Sequence, residues 1–176
     1  MSRLAVYLPW LLICSVGALH IAITGTSQGI GLDAATRLIR DGHTVYHANR
    51  NSARSAEAAQ QAGGGVPMVC DLASLESVRA FAEELSGKEL DVLCLNAGIA
   101  PSTKAEAPET TADGFEACVG TNHLGHFLLA NLLAPKVERI VVTARVETVT
   151  ATLSSRRRVD GVEGMIQPWA RSAVKI

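Results

Sequence analysis

The stretch that decides the fold reads His20-Ile-Ala-Ile-Thr-Gly-Thr-Ser-Gln-Gly-Ile-Gly31. Residues 21–23 form a short apolar run of the kind needed by a strand that is buried on both faces. After the glycine-rich turn, apolar residues recur at helical spacing from Leu32 to Ile39. A strand, a turn and a helix in this order present the free N–H groups of the helix, and the positive end of its dipole, at the turn. This arrangement predicts a pyrophosphate site.

Three glycines in the turn have different predicted roles. Gly25 allows the tight turn, Gly29 lets the backbone approach a phosphate, and Gly31 lets the helix pack on the strand. The spacing is Gly-x-x-x-Gly-x-Gly, which differs from the commoner Gly-x-Gly-x-x-Gly dinucleotide pattern. Because the chain has 15 glycines, the spacing alone is also typical of an ordinary strand–helix turn. The segments that follow favour the dinucleotide site.

Length and composition limit the classes of protein to consider. The 176 residues suit one domain of common size. With a net charge of −1, 19% charged residues and 4% aromatic residues, the chain has neither the positive charge nor the stacking side chains typical of nucleic-acid binding. We therefore expect no nucleic-acid partner. Four cysteines without Cys-x-x-Cys spacing predict buried, reduced thiols.

Strand and helix patterns alternate along the chain. Further strands are predicted at residues 43–48, 66–70, 91–95 and 139–144, with helices at 52–62 and 74–87 and a long helix ending near Leu133. This order predicts an α/β fold with a Rossmann-like, doubly wound parallel sheet of about five strands. Ligands bind outside the carboxyl ends of the strands in such sheets. The residues at those ends include Gly25, Arg50, Asp71 and Asn96.

Arg50 follows the second predicted strand, near the position where dinucleotide folds contact the ribose of the adenosine. An acid at that position accepts from both ribose hydroxyls and selects NAD, but no acid is present. Arg50 instead pairs with a 2′-phosphate, which favours NADP as the cofactor. The alternative interpretation is a solvated arginine at the start of a loop.

The first 19 residues form an apolar leader, in which residues 4–19 are almost wholly apolar after Arg3. A charged start and an apolar run are typical of a secretory signal or a signal-anchor, with membrane association through residues 4–19. The run is shorter than the ~20 residues that a membrane-spanning helix needs. The alternative is a poorly ordered leader before the first strand. A targeting leader predicts a plastid or endoplasmic reticulum route, and otherwise we expect a cytoplasmic protein.

His123 and His126 stand three residues apart on the long predicted helix, a spacing that allows two ligands to share one metal ion. No third ligand occurs nearby in the sequence. Packing or contacts with the edge of a cofactor are therefore the favoured roles, and no metal site is predicted.

Four motifs together resemble the short-chain dehydrogenase/reductase family: Thr24-Gly25-x-x-x-Gly29-Ile30-Gly31, Asp71-Leu72, Asn96-Ala97-Gly98 and Asn122. Within that family, the stretches Asp71-Leu-Ala-Ser-Leu-Glu-Ser-Val-Arg79, Ala112-Asp-Gly-Phe-Glu116 and Val119-Gly-Thr-Asn-His-Leu-Gly-His-Phe-Leu-Leu129 look like light-dependent protochlorophyllide reductases. Retinol-dehydrogenase-like members share much of the last stretch. The resemblance covers residues 20–144 and assigns residues 20–145 to an NADP-binding Rossmann domain.

The resemblance implies a role for each motif residue. Ser27, Gln28 and Ile30 would line the pyrophosphate and ribose, and Arg50 the 2′-phosphate. Asp71 would accept from the adenine amino group, with Leu72 beside it. The nicotinamide ribose would be bordered by the third motif, Asn96, Ala97 and Gly98. Asn122 would match the catalytic asparagine of the family's Asn–Ser–Tyr–Lys tetrad, which supports a proton-relay water.

The other three members of the tetrad do not follow in this chain. Arg145 stands where the family has its serine, and no Tyr-x-x-x-Lys occurs downstream. Because proton donation by a positioned acid typically contributes about 10²–10⁴-fold to a rate, we expect impaired turnover. Residues 146–176 lack a strand–helix pattern and predict a divergent, disordered tail. Relative to the family, the sheet is expected to be incomplete, with an exposed edge open to oligomer formation.

Three functions follow from the resemblance. The first is an NADPH-dependent oxidoreductase with protochlorophyllide-reductase-like hydride transfer to a small apolar or conjugated substrate. The second is a non-catalytic fragment that binds NADP or a partner. The third is a retinol-dehydrogenase-like, membrane-associated reductase.

Overall fold

A computed structural model of the chain describes residues 17–100 and 109–144. These residues form one five-stranded parallel sheet with the strand order β3-β2-β1-β4-β5. The strands are β1 (His20–Thr24), β2 (Thr44–Asn49), β3 (Val66–Val69), β4 (Val92–Leu95) and β5 (Arg139–Val142). The helices are α1 (Gly29–Arg40), α2 (Ser52–Ala62), α3 (Leu75–Ser86), α4 (Ala117–Val119) and α5 (His126–Leu133). This architecture confirms the predicted doubly wound α/β fold.

Strand β1 is buried on both sides because the sheet has a helical layer on each face. Ile21 and Ile23 of β1 pack with Val45 and with helix α1 in one apolar cluster. Ala22, between them in sequence, belongs to a second cluster that contains Phe81 of α3, Leu129 of α5 and much of β4. Successive side chains of a strand point to opposite faces, so the continuous apolar run in β1 is what both layers need.

The helix ends follow the predicted capping signals. Ser74 caps α3 by accepting a hydrogen bond from the Ser77 N–H at 3.2 Å, and Gly87 ends that helix. Helix α2 spans the predicted residues and ends at Gly63, which adopts a left-handed φ of 80°. The predicted strands are present, with their ends shifted by one or two residues.

The long helix predicted to end near Leu133 is not a uniform α-helix. A π-helical turn, Gly120–Gly125, lies between α4 and α5. Both of its terminal glycines are in close contacts: a Cβ at Gly120 would overlap the Thr111 side chain, and one at Gly125 would overlap the Leu72 carbonyl oxygen. Tight packing against Leu72 therefore accompanies the wider, π-helical turn. The helical periodicity of the sequence does not predict this turn.

Strand β5 forms one edge of the sheet, hydrogen-bonded to β4 only among the described residues. All four of its residues are exposed. Association through this edge stays a prediction.

Among residues 17–100 and 109–144, no helix is both long and apolar enough to cross a membrane. Most of the apolar leader and the whole tail of residues 146–176 lie outside the described residues, so the predicted domain boundaries stay predictions.

Two histidines are buried near the carboxyl ends of the strands. His47 in β2 and His126 in α5 both have a pKa lowered from the ordinary value, with desolvation by burial as the main cause in each case. A lowered pKa means that the folded chain holds these imidazoles neutral, whereas the unfolded chain protonates them below about pH 6.5.

The free energy of unfolding should therefore fall as the pH is lowered. Stability from the two histidines is fully present above the unfolded pKa and is lost as the pH falls through and below it, because the unfolded state then binds more protons. Urea unfolding at about pH 7.5 and about pH 5.5 measures this difference. His47→Gln should remove part of this dependence on pH. A free energy of unfolding that stays constant or rises on acidification would contradict the prediction.

Candidate functional site

An open cavity of about 510 Å³ lies at the carboxyl ends of the strands. Its lining includes every residue predicted to bind the cofactor: Gly25, Ser27, Gln28, Gly29, Ile30, Gly31, Arg50, Asp71, Leu72, Asn96, Ala97 and Gly98. The strand order explains this convergence, since β1, β2 and β4 are neighbours and their carboxyl ends meet at one edge. The motifs that are separated in sequence therefore form one surface.

The glycine-rich turn is packed so closely that side chains are excluded at two positions. Gly25 has a φ of 72°, and a Cβ there would stand 2.8 Å from the Ala97 Cα. A Cβ at Gly31 would overlap the Gly25 carbonyl oxygen and stand 2.6 Å from Nδ2 of Asn96. Gly29 is different, because nothing lies within 4 Å of its Cβ position. Its bare backbone faces open space, which fits the approach of a phosphate.

Asn96 and Ala97 are attached to the end of β1 by four hydrogen bonds. The Asn96 side-chain amide donates to the carbonyl oxygens of Thr24 and Gly25 at 3.1 and 3.2 Å. The backbone N–H groups of Asn96 and Ala97 donate to Oγ1 of Thr24 at 2.9 and 3.0 Å. Thr24 is 1% exposed, so its hydroxyl serves as a buried acceptor for the wall of the cavity.

Two arginines line the cavity beyond β2. Arg50 follows the strand directly, and Arg54 lies in the first turn of α2, whose start is capped by Asn51. The Arg54 N–H donates to Oδ1 of Asn51 at 2.9 Å. Sequence reasoning missed Arg54, although its place four residues after Arg50 at a helix start was the available signal. The pair puts two guanidinium groups at one end of the cavity.

Among the described residues, only one of the two carboxylate oxygens of Asp71 has a hydrogen-bond partner. Its Oδ1 accepts from the Ala73 N–H at 3.0 Å, and its own N–H donates to Oγ of Ser77 at 2.9 Å. The neighbouring Cys70 thiol also lines the cavity. Burial, with the charge of Asp71, raises the pKa of Cys70 to about 12, so that thiol is neutral.

Asn122 lies in the π-helical turn and contacts the loop that follows β4. Its Oδ1 accepts from the Ile99 N–H at 2.8 Å, and its Nδ2 donates to the Ile99 carbonyl oxygen at 2.8 Å. The side chain thus fixes Ile99, which lines the cavity beside Gly98 and Thr121. The catalytic role implied by the resemblance stays a prediction.

The two histidines of the long helical segment have different surroundings. The His123 ring lies against Phe127, with 6.2 Å between the ring centroids. His126 is buried and hydrogen-bonded to Thr24 and to the Asn122 carbonyl oxygen. Among the described residues, no group of three or more His, Cys, Asp or Glu side chains is arranged to hold a metal ion.

Buried polar residues beneath the cavity were also missed by sequence reasoning. Thr26 accepts from the Asn49 side-chain amide at 2.9 Å and lies 3.1 Å from Nδ1 of His47. Thr121 lines the cavity with a buried hydroxyl that has no hydrogen-bond partner among the described residues. Because these residues meet only after the sheet forms, no local pattern in the sequence indicates them.

The residues present fit a dinucleotide. The open backbone at Gly29 and the two guanidinium groups match phosphates. The Asp71 carboxylate, with one oxygen hydrogen-bonded to the Ala73 N–H, matches an amino group. A parallel sheet of this order with a glycine-rich turn at its centre is the architecture of dinucleotide-binding α/β proteins. The chain belongs to the short chain dehydrogenase family, whose family model matches residues 19–155.

Individual relatives agree with this assignment. Protochlorophyllide reductase of Chlamydomonas reinhardtii, a chloroplastic protein, is 44% identical over 75% of this chain and 36% of its own length. Retinol dehydrogenase 14 of Mus musculus is 45% identical over 66% of this chain and 40% of its own. The chain therefore spans less than half the length of these curated relatives.

A solved structure supports the fold independently. The 3-ketoacyl-(acyl-carrier-protein) reductase from Brucella melitensis, complexed with NADH, matches with a TM-score of 0.56 and 30% identity. The match covers 69% of this chain and 51% of that chain. The resemblance drawn from the sequence motifs, to short-chain dehydrogenases and to both groups of relatives, is confirmed.

The close packing at Gly31 leads to a stability prediction. Gly31→Ala should lower the free energy of unfolding by roughly 1–3 kcal/mol despite the better helix propensity of alanine, because the new methyl overlaps the Gly25 carbonyl. Urea unfolding measures the change. Gly87→Ala is the matched control, since Gly87 has a negative φ and open space at its Cβ position. The control should change stability by less than about 0.5 kcal/mol; equal effects of the two substitutions would contradict the packing argument.

Proposed function

We propose that this chain binds NADP(H) in the cavity at the carboxyl ends of the strands. The observation that carries the proposal is the convergence of all twelve predicted cofactor residues on one cavity. The pyrophosphate lies over Gly29 to Gly31, where the free N–H groups at the start of α1 donate to it. The free oxygen of Asp71 accepts from the adenine amino group. Asn96, Ala97 and Gly98 border the nicotinamide ribose.

The two arginines favour NADP over NAD. Arg50 and Arg54 both line the adenosine end of the cavity, where a 2′-phosphate offers oxygens for charge-assisted hydrogen bonds. An acid that would accept from a 2′-hydroxyl is absent there, because the last residue of β2 is Asn49, whose side chain donates to Thr26. NAD therefore lacks a matching partner, and NADP has two.

The chemistry of the family is hydride transfer, and the substrate class follows from the relatives. Similarity to the protochlorophyllide reductases suggests a conjugated pyrrole as the hydride acceptor of this chain, and similarity to retinol dehydrogenase 14 suggests a retinoid. Either substrate would enter beside the exposed Ile99 and the buried Thr121, at the end of the cavity away from the arginines. A plastid location accompanies the first substrate, and membrane association through residues 4–19 accompanies the second.

The second candidate function is cofactor binding without turnover. Within the 176 residues, only Asn122 matches the family's Asn–Ser–Tyr–Lys tetrad. A hydride acceptor also needs a proton, and a tyrosine whose pKa is lowered by a nearby lysine would supply it. The 176-residue chain lacks that pair of residues, so we favour binding over catalysis for this chain.

The preference for NADP can be tested by titration. Binding is followed by nicotinamide fluorescence. The chain should bind NADPH more tightly than NADH, and Arg50→Gln should weaken NADPH binding roughly tenfold or more. The substitution should leave NADH binding nearly unchanged, since NADH has no 2′-phosphate. Arg79→Gln is the matched control, because Arg79 is an exposed arginine of α3 outside the cavity. Equal affinity for NADPH and NADH in the unmodified chain would contradict the assignment of the arginines.

Turnover is tested on the chain with NADPH bound. Protochlorophyllide under illumination, or retinal in the dark, is added to the complex, and consumption of NADPH is followed by its absorbance. We expect bound NADPH to persist with both substrates, since the positioned proton donor is missing. Sustained consumption would establish catalysis instead, and its survival in Asn122→Ala would then contradict the catalytic role of Asn122.

A further inference from the structure

An unbroken series of hydrogen bonds connects the π-helical turn to the wall of the cavity. Nδ1 of His126 lies 3.1 Å from the Asn122 carbonyl oxygen. Nε2 of the same ring lies 2.9 Å from Oγ1 of Thr24. That hydroxyl oxygen in turn receives the N–H groups of Asn96 and Ala97. The His126 imidazole thus connects the long helical segment to the end of β1, although Thr24 and His126 are 102 residues apart in the sequence.

The donors and acceptors in this series can be assigned one after another. A carbonyl oxygen only accepts, so Nδ1 of His126 carries the proton and donates to Asn122. In the neutral ring Nε2 then has no proton and accepts from the Thr24 hydroxyl. The hydroxyl hydrogen therefore points to the imidazole, and the oxygen lone pairs face the two backbone N–H groups. Burial, which lowers the pKa of His126, favours the neutral ring that this assignment needs.

His126 itself does not line the cavity, but the groups that it orients do. Asn96 and Ala97 are in the lining, and the Thr24 hydroxyl is the shared acceptor for both of their N–H groups. Without the imidazole, the nearest alternative acceptor for the hydroxyl hydrogen is the Cys94 carbonyl oxygen at 3.4 Å. The hydroxyl would have to turn, and its lone pairs would turn away from the two N–H groups.

We propose that His126 is a positioning residue that aligns the Asn96–Ala97 segment for the nicotinamide end of the cofactor by fixing the Thr24 hydroxyl. This inference rests on the proposed binding of NADP(H). It assigns to His126 no contact with the cofactor and no proton transfer. The effect is local, because the adenosine end is formed by Arg50, Arg54 and Asp71 on the other side of the glycine-rich turn.

A second histidine–threonine pair supplies a matched control. Nδ1 of His47 lies 3.1 Å from Oγ1 of Thr26, and Nε2 lies 3.0 Å from the Gly64 carbonyl oxygen. His47 is as buried as His126, but the other partner of Thr26 is the Asn49 side chain. His47→Gln therefore disturbs a comparable buried pair without touching the segment that borders the nicotinamide.

The test compares two ligands on the full chain. NADPH fills both ends of the cavity, whereas adenosine 2′,5′-bisphosphate fills only the adenosine end. His126→Phe keeps a ring but removes both hydrogen bonds, and it should weaken NADPH about tenfold, or ~1.4 kcal/mol, with little change for the bisphosphate. Thr24→Val should give the same selective loss of NADPH affinity, whereas Thr24→Ser, which keeps the hydroxyl, should bind NADPH as the unmodified chain does. The double variant His126→Phe/Thr24→Val should lose no more NADPH affinity than either single variant. For His47→Gln, the ratio of the two affinities should stay unchanged.

Each result has a defined meaning. If His126→Phe does not fold, as measured by thermal unfolding, the comparison of Thr24→Val with Thr24→Ser decides alone. Equal loss of both ligands, an unchanged ratio in Thr24→Val, or additive losses in the double variant would overturn the role of His126 while leaving NADP binding intact. An unmodified chain that binds neither ligand would overturn the proposed function, and the positioning role with it.

Discussion

The close approach of the β1–α1 turn to the end of β4 is the constraint on which the cavity depends. At Gly25 and Gly31 the backbone leaves no room for a Cβ, since the methyl groups would meet Ala97 and the Gly25 carbonyl. Only this approach brings the Asn96 amide within hydrogen-bond distance of both Thr24 and Gly25. The turn and the end of β4 therefore form one surface, on which the proposed pyrophosphate and nicotinamide-ribose sites lie side by side.

The interior just below that surface is polar, unlike the rest of the sheet. Thr24, Thr26, His47 and Asn49 are all nearly inaccessible, yet their side chains find partners among one another or on the backbone. Satisfied polar groups in a low-dielectric interior fix orientations that apolar packing leaves free. The cost is that the imidazoles must remain neutral, as their lowered pKa values indicate. Geometry at the cavity thus depends on hydroxyl and amide directions as much as on the apolar core.

The sequence alone predicts the strands, the order of the motifs and the cavity residues Arg50, Asp71 and Asn96. It succeeds there because a single rule, that the carboxyl ends of parallel strands meet at one edge, converts positions in the chain into positions in space. The π-helical turn, the place of Arg54 in the cavity and the hydrogen bond between His126 and Thr24 were not predicted. Arg54 had a signal in its place at the start of a helix, four residues after Arg50. The π-helical turn and the histidine bond depend instead on contacts made after folding, Gly125 against Leu72 and His126 against Thr24, about which apolar periodicity carries no information.

The two ends of the cavity differ in charge, and under the proposed binding this difference favours one direction for the dinucleotide. Arg50, Arg54 and Asp71 are at one end, whereas Asn96, Ile99 and Thr121 line the other, with no partner for the Thr121 hydroxyl in the described part of the chain. A reversed dinucleotide would bring its 2′-phosphate to neutral groups and away from both arginines, which is unfavourable. The neutral end suits a nicotinamide that changes charge on accepting or releasing hydride, because no fixed charge there favours one redox state over the other. Under the proposed binding, the direction of the cofactor follows from Arg50 after β2 and Arg54 in the first turn of α2. The Asn96–Ala97 segment, which we propose that His126 aligns, then lies at the end where hydride transfer takes place in the family.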